Sequence, residues 1–172
     1  SKKFTSLDSM PHLSKRFIGH LQSNKVNKCL ELFDTIDSVG SVKLLKRISN
    51  TASHHERTIH VLLEINTSAE TQKHGFLPDQ LDEIRECFKI PNIKIEGLMT
   101  VGPLTTDKKK IRNSFIQLRE LKDTINQPGL NELSMGMSGD YEIAVEEGST
   151  MVRLGTALFG LRKIFYKPTS RD

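Results

Sequence analysis

The stretch LSMGMSGDYEIAVEEGSTMVRLGTALFG, residues 133–160, decides the fold. Leu133 to Met137 is an apolar run broken by Gly136, and it reads as a strand buried on both faces. Ser138-Gly139-Asp140 carries turn chemistry and supplies helix N-cap residues. Tyr141 to Glu147 suits a short helix, which Gly148 stops. Met151 to Leu154 is β-forming around one charge, Arg153, and Gly155-Thr156 opens a last helix. Each strand end is followed by small hydroxyl or glycine residues at a helix start. Backbone N–H groups at such a start point at an anion, and the helix dipole favours negative charge there, so the stretch reads as a phosphate seat. The competing reading is that Ser138, Gly155 and Thr156 are only caps and turn residues.

Working outward, apolar segments that look like strands recur before this stretch, with helical patterns between them. RFIGH (16–20), residues 35–39, residues 58–66 around HVLLEIN, and IKIEGLMTV (93–101) read as strands, followed by 132–137 and 150–154. Between them lie helices over Lys25 to Phe33, Ser41 to Ala52, Pro78 to Phe88 and Asp107 to Ile125, each with an apolar stripe at helical spacing. Six β/α alternations argue a parallel sheet with crossover helices. An open doubly wound sheet and a (β/α)8 barrel both fit. No GxGxxG fingerprint opens the first unit. Polar and small residues gather at strand C-terminal ends, at His20, Ser38, Asn66, Thr100, Ser138 and Thr156, which a barrel would bring to one face. The expected class is therefore α/β of the (β/α)8 barrel type, with about six of eight units present.

At 172 residues, with 36% hydrophobic and 27% charged residues, the chain suits one domain with its own core. No run approaches membrane-spanning length, and the N-terminus lacks the apolar segment of a signal peptide. Two cysteines, Cys29 and Cys87, without metal-ligand spacing point to a reducing compartment. The net charge of +4 is scattered, which weakly favours an anionic ligand and gives poor support for nucleic acid binding. The Lys108-Lys109-Lys110 run reads as the exposed start of a helix. His54 and His55 read as loop residues, and His60 and His74 have no partner at metal spacing.

Five strings in order resemble the pyridoxal-phosphate homeostasis family, which is similar in fold to the N-terminal domain of alanine racemase. They are RFIGHLQSNK (16–25), INTSAETQKHGF (65–76), EGLMTVGP (96–103), LSMGMSGDYEIAVEEGST (133–150) and VRLGTALFG (152–160). The resemblance implies a barrel of PLP fold type III that binds the vitamin B6 cofactor pyridoxal 5′-phosphate (PLP). It implies that Met137, Ser138, Gly155 and Thr156 hold the phosphate, that Arg153 approaches the pyridine nitrogen, and that His20 lines the cofactor pocket. An arginine there keeps the nitrogen unprotonated and weakens the ring as an electron sink. The family also begins with a strand carrying the PLP-binding lysine and a second strand, and neither string is found here. The expected organisation is a helix remnant or leader at 1–15, a partial barrel at 16–165 lacking its first two strands, and a tail at 166–172.

Arg153 in an apolar strand otherwise reads as an edge position or a structural salt bridge. His20 otherwise reads as a satisfied core histidine. Lys25 and Lys73 follow strand ends and read as solvated lysines, with an opportunistic imine as the sharper alternative. The functional expectation is a PLP-binding homeostasis protein, not an enzyme, located in the cytoplasm with mitochondria left open. Its partners would be PLP and PLP-dependent apoenzymes, with no metal, nucleic acid or membrane. The alternatives are a fragment of a PLP-dependent racemase-like enzyme and an interaction module that self-associates through exposed strand edges.

Overall fold

The computed structural model describes residues 13–68, 70 and 72–161. The expected tail at 166–172, and all but the end of the expected leader, lie outside the described residues. Six strands alternate with helices: β1 Arg16–Phe17, α1 Val26–Leu32, β2 Thr35–Val39, α2 Val42–His54, β3 Ile59–Glu64, α3 Leu81–Cys87, β4 Ile93–Met99, α4 Lys108–Ile125, β5 Glu132–Met137, α5 Tyr141–Glu146, β6 Met151–Arg153 and α6 Thr156–Phe159. All neighbouring strands pair in parallel, in the consecutive order β1-β2-β3-β4-β5-β6. A doubly wound sheet reverses its strand order at a switch point. This sheet never reverses, so the barrel-type reading holds, as a curled sheet of six units.

The core follows from the patterns. Strand residues Ile36, Val61, Leu63, Leu98, Leu133 and Met135 are buried with helix residues Leu45, Ile48, Ile84, Phe115 and Leu118. Ser41 caps α2 by accepting the Leu44 amide at 3.2 Å, and Asp107 caps α4 by accepting from Lys109 and Lys110. Gly97 has no room for a side chain, because a Cβ would lie 2.1 Å from the Glu132 carbonyl oxygen. That close approach sets the β4–β5 pairing.

Element ends differ from the sequence pattern where side chains or loops replace ladder bonds. The strand expected over 16–20 pairs only at Arg16 and Phe17. Beyond them the Ser38 hydroxyl donates to the Gly19 carbonyl, which takes the chain out of the ladder. The strand expected to reach residue 66 ends at Glu64, after which Asn66 donates its amide to Phe76. Pro78 sits in a turn ahead of α3, where the Gln80 side chain accepts the Leu77 amide.

Candidate functional site

At the C-terminal ends of β5 and β6 a cavity of about 1000 Å³ opens toward β1 and β2. Its lining includes Met137, Ser138, Arg153, Gly155 and Thr156, five of the six residues singled out in the sequence, together with Arg16 and Asp37. His20 is not among them. It lies in a neighbouring cleft, its ring stacked on His74 with centroids 4.0 Å apart.

Ser138 does not cap the helix that follows it in sequence. Asp140 turns back instead and accepts the Met137 amide at 2.6 Å. The Ser138 hydroxyl oxygen faces the loop after β6, where it accepts from the amides of Gly155 and Ala157 at 3.2 and 3.1 Å. Two backbone donors thus converge beside a hydroxyl on the cavity wall. A Cβ built on Gly139 or Gly155 meets nothing within 4 Å, so both glycines leave open space. Gly136 is under the opposite constraint. Its φ is +95°, and a Cβ there would lie 2.6 Å from that of Ala144, so α5 packs directly on β5.

Among the described residues, Arg153 is neither an outward edge residue nor half of an ion pair. Its guanidinium donates to the Ser134 carbonyl and hydroxyl, both at 2.8 Å, and to the Thr100 carbonyl at 2.7 Å. The side chain therefore spans the ends of β4, β5 and β6. Its direct acceptors among the described residues are neutral, and no described carboxylate bonds to it. Burial pulls its pKa below the usual arginine value, while the carboxylates of Asp37, Asp140 and Glu64 oppose that shift. The network continues through Thr100, whose hydroxyl donates to the Ile65 carbonyl at 2.8 Å and lies 2.9 Å from that of Thr67.

Three participants were not singled out in the sequence. Asp37 is fully buried on β2 and holds Arg16 through two bonds of 2.8 and 2.9 Å. The signal for it was a carboxylate inside the buried string TIDSV. Ser134 lies within the apolar run 133–137, and only its bonds to Arg153 give it a role. Glu64, at the end of β3, was hidden in the string HVLLE. Lys73 is tied to the Gly102 carbonyl at 3.0 Å and to Glu70 at 2.8 Å. Lys25 is exposed and lies outside the phosphate-seat cavity.

Comparison with known proteins identifies relatives of the chain and of its fold. The family model described as alanine racemase, N-terminal domain, matches residues 12–163. The pyridoxal phosphate homeostasis protein of Aquifex aeolicus is 40% identical over 166 residues, covering 94% of this chain and 72% of that protein. The human protein of the same name is 38% identical, covering 95% of this chain and 64% of that protein. PipY of Synechococcus elongatus, solved with PLP bound, is similar with a TM-score of 0.81 and 36% identity over 92% of this chain and 76% of that one. Alanine racemase of Clostridium difficile shares the fold, with a TM-score of 0.76 at 18% identity over 91% of this chain and 42% of that one.

Proposed function

The chain belongs to the alanine racemase N-terminal-domain family, among the pyridoxal phosphate homeostasis proteins, and from that premise we propose that it binds PLP non-covalently and serves PLP homeostasis without catalysing a reaction of its own. The observation that carries this reading is the convergence of three features on one cavity. Ser138 meets the Gly155 and Ala157 amides there, Gly139 and Gly155 leave room, and Arg153 is held on neutral acceptors.

In this reading the phosphate takes over the amides now donated to Ser138, and the hydroxyls of Ser138 and Thr156 add donors. Oriented N–H groups suit an anion, and charge-assisted bonds of this kind are the strong ones. Met137 contributes its backbone at the rim. Arg153 faces the ring nitrogen and, held as a cation by its network, discourages protonation there. PLP when bound supplies an aldehyde that condenses with amines and a ring that withdraws electrons. The chain's residues bind and orient it and, through Arg153, restrain that ring. His20 makes no direct contact in this reading.

Asp37, the carboxylate on the cavity lining, is already held by Arg16, so it is not free to act as the acid or base that a racemase-like enzyme needs at the cofactor. Delivery of PLP to apoenzymes is the partner chemistry that fits this role.

PLP titration followed by absorbance or fluorescence tests the reading. Saturable binding is expected, about tenfold weaker in Ser138→Ala and roughly 10- to 100-fold weaker in Arg153→Met. Borohydride treatment and mass analysis should leave no lysine adduct. A stoichiometric adduct would overturn the non-covalent mode. Unchanged affinity in both variants would overturn the site.

A further inference from the structure

Asp140 stands at the N-terminus of α5 but does not serve that helix. An aspartate in this position ordinarily accepts the amides of the first helical turn. The Asp140 side chain accepts none of them. Its carboxylate turns back and takes the Met137 amide at 2.6 Å, while its own amide donates to the Met137 carbonyl at 3.0 Å. Residues 137–140 are thereby closed into a turn by two bonds between the same pair of residues. Ser138 and Gly139 form its tip, and the Ser138 hydroxyl meets the Gly155 and Ala157 amides across the seat.

The other carboxylate oxygen faces the loop after β4. A Cβ built on Gly102 would lie 3.1 Å from Asp140 Oδ2 and 3.4 Å from the Phe115 ring. Phe115 is fully buried on α4, so the carboxylate is the group that would have to move. Gly102 thus leaves the space in which Asp140 sits. The same loop begins at Thr100, whose carbonyl holds Arg153. Asp140 is therefore wedged between the phosphate turn and the loop that anchors Arg153. Among the described residues it does not line the cavity, whose charged side chains are Arg16, Asp37 and Arg153. It reaches the seat through Met137 rather than by touching a ligand.

We propose that Asp140 is the positioning residue of the phosphate seat: it holds the turn 137–140 so that Ser138 faces the amides of the loop after β6, and Gly102 leaves it room to do so. The proposal rests on the PLP reading of the cavity and adds to it the residue that shapes the seat before a ligand arrives. A wall already fixed in its binding geometry loses less freedom on binding. The effect belongs to the phosphate end of the ligand alone. Pyridoxal, which has the same ring and aldehyde without the phosphate, should be indifferent to Asp140.

The experiment compares PLP, pyridoxal and inorganic phosphate on the 172-residue chain. Absorbance follows the first two, and the amide resonances of Ser138, Gly139, Gly155 and Ala157 follow phosphate by NMR. Asp140→Ala should bind PLP about tenfold more weakly, with pyridoxal affinity unchanged. Asp140→Asn keeps an acceptor for the Met137 amide and should stay within about threefold of the parent. Gly102→Ala should weaken PLP several-fold, and that loss should vanish in an Asp140→Ala background, because both changes act through one contact. Should Asp140→Ala not unfold cooperatively in urea, Gly102→Ala carries the comparison of PLP with pyridoxal, since it displaces the carboxylate without removing it. Phosphate bound at those amides without saturable PLP binding would sink the cofactor reading alone, and Asp140→Ala should then weaken phosphate about tenfold. Equal losses of PLP and pyridoxal affinity, Asp140→Asn as weak as Asp140→Ala, or anion binding unchanged in Asp140→Ala would overturn the positioning role. Neither PLP nor phosphate at those amides in the parent chain would overturn both.

Discussion

At the scale of single residues, the interior charges decide behaviour. Glu64 has a carboxyl pKa above the ordinary glutamate value because burial penalises its charged form more than His74 and Arg153 favour it. The folded state then holds this proton more tightly than the unfolded state. The stability associated with Glu64 is therefore fully present below the ordinary glutamate pKa and is lost as pH rises toward the raised one. Glu64→Gln removes the ionisation. Its melting temperature should exceed that of the parent at about pH 8, and the difference should vanish toward about pH 4. A difference that stays constant with pH would contradict the assignment. Arg153 was legible in the sequence as a lone charge in an apolar strand, and so was the choice between a structural role and a ligand role. What could not be read was its set of acceptors, Ser134 and Thr100, because one lies on β5 and the other just after β4. Asp37 was missed because a carboxylate in a short strand declares nothing until its partner Arg16 is placed across the sheet.

At the scale of elements, the two strands whose bounds agree with the sequence pattern are β2 and β5. Both are short segments closed by turn residues, Gly40-Ser41 after β2 and Ser138-Gly139 after β5, so local chemistry marked their ends. Residues 16–20 misled because FIGH looks as β-forming as RF. The ladder stops at Phe17 because a side chain from β2 takes the Gly19 carbonyl, a non-local bond that no local pattern encodes. The role of Ser138 shifted for the same reason. Its neighbours in sequence suggested a cap for α5, but the fold brings the loop after β6 to it. The α5–β5 contact gives a sharp test. Gly136→Ala forces a side chain into a φ of +95° and to within 2.6 Å of the Ala144 Cβ. It should cost about 2–4 kcal/mol in urea unfolding. Gly139→Ala, where a Cβ meets nothing within 4 Å, should change stability by less than about 0.5 kcal/mol. The second variant would still intrude on the proposed phosphate space, so its effect should appear in PLP affinity. Equal stability losses in the two variants would refute this division between packing and site.

At the scale of the whole molecule, the consecutive strand order was legible as alternation, but curvature and closure are collective and leave no local mark. Among the described residues, β1 pairs only with β2 and β6 only with β5. The cavity between them is rimmed by Ile18 and Phe159, 53% and 85% exposed, with Leu158 nearby at 67%. Both edge strands are short, two and three residues, which limits pairing with another chain through the backbone. The apolar rim is the stronger drive. Burying the area that these three side chains still expose is worth roughly 3–6 kcal/mol. That lies at the low end of the range of about 4–15 kcal/mol that association costs in lost freedom. The balance predicts weak self-association rather than an obligate dimer. Sedimentation velocity on the 19.5 kDa chain should therefore show a mean mass that rises with concentration. Phe159→Lys and Ile18→Lys should each move the distribution toward monomer, because a charge at the rim must be desolvated on association. Saturating PLP should leave the association of the parent chain largely intact if the rim rather than the phosphate seat drives it. A single 19.5 kDa species across the concentration range, with one cooperative unfolding transition, would show that the rim is satisfied within one chain.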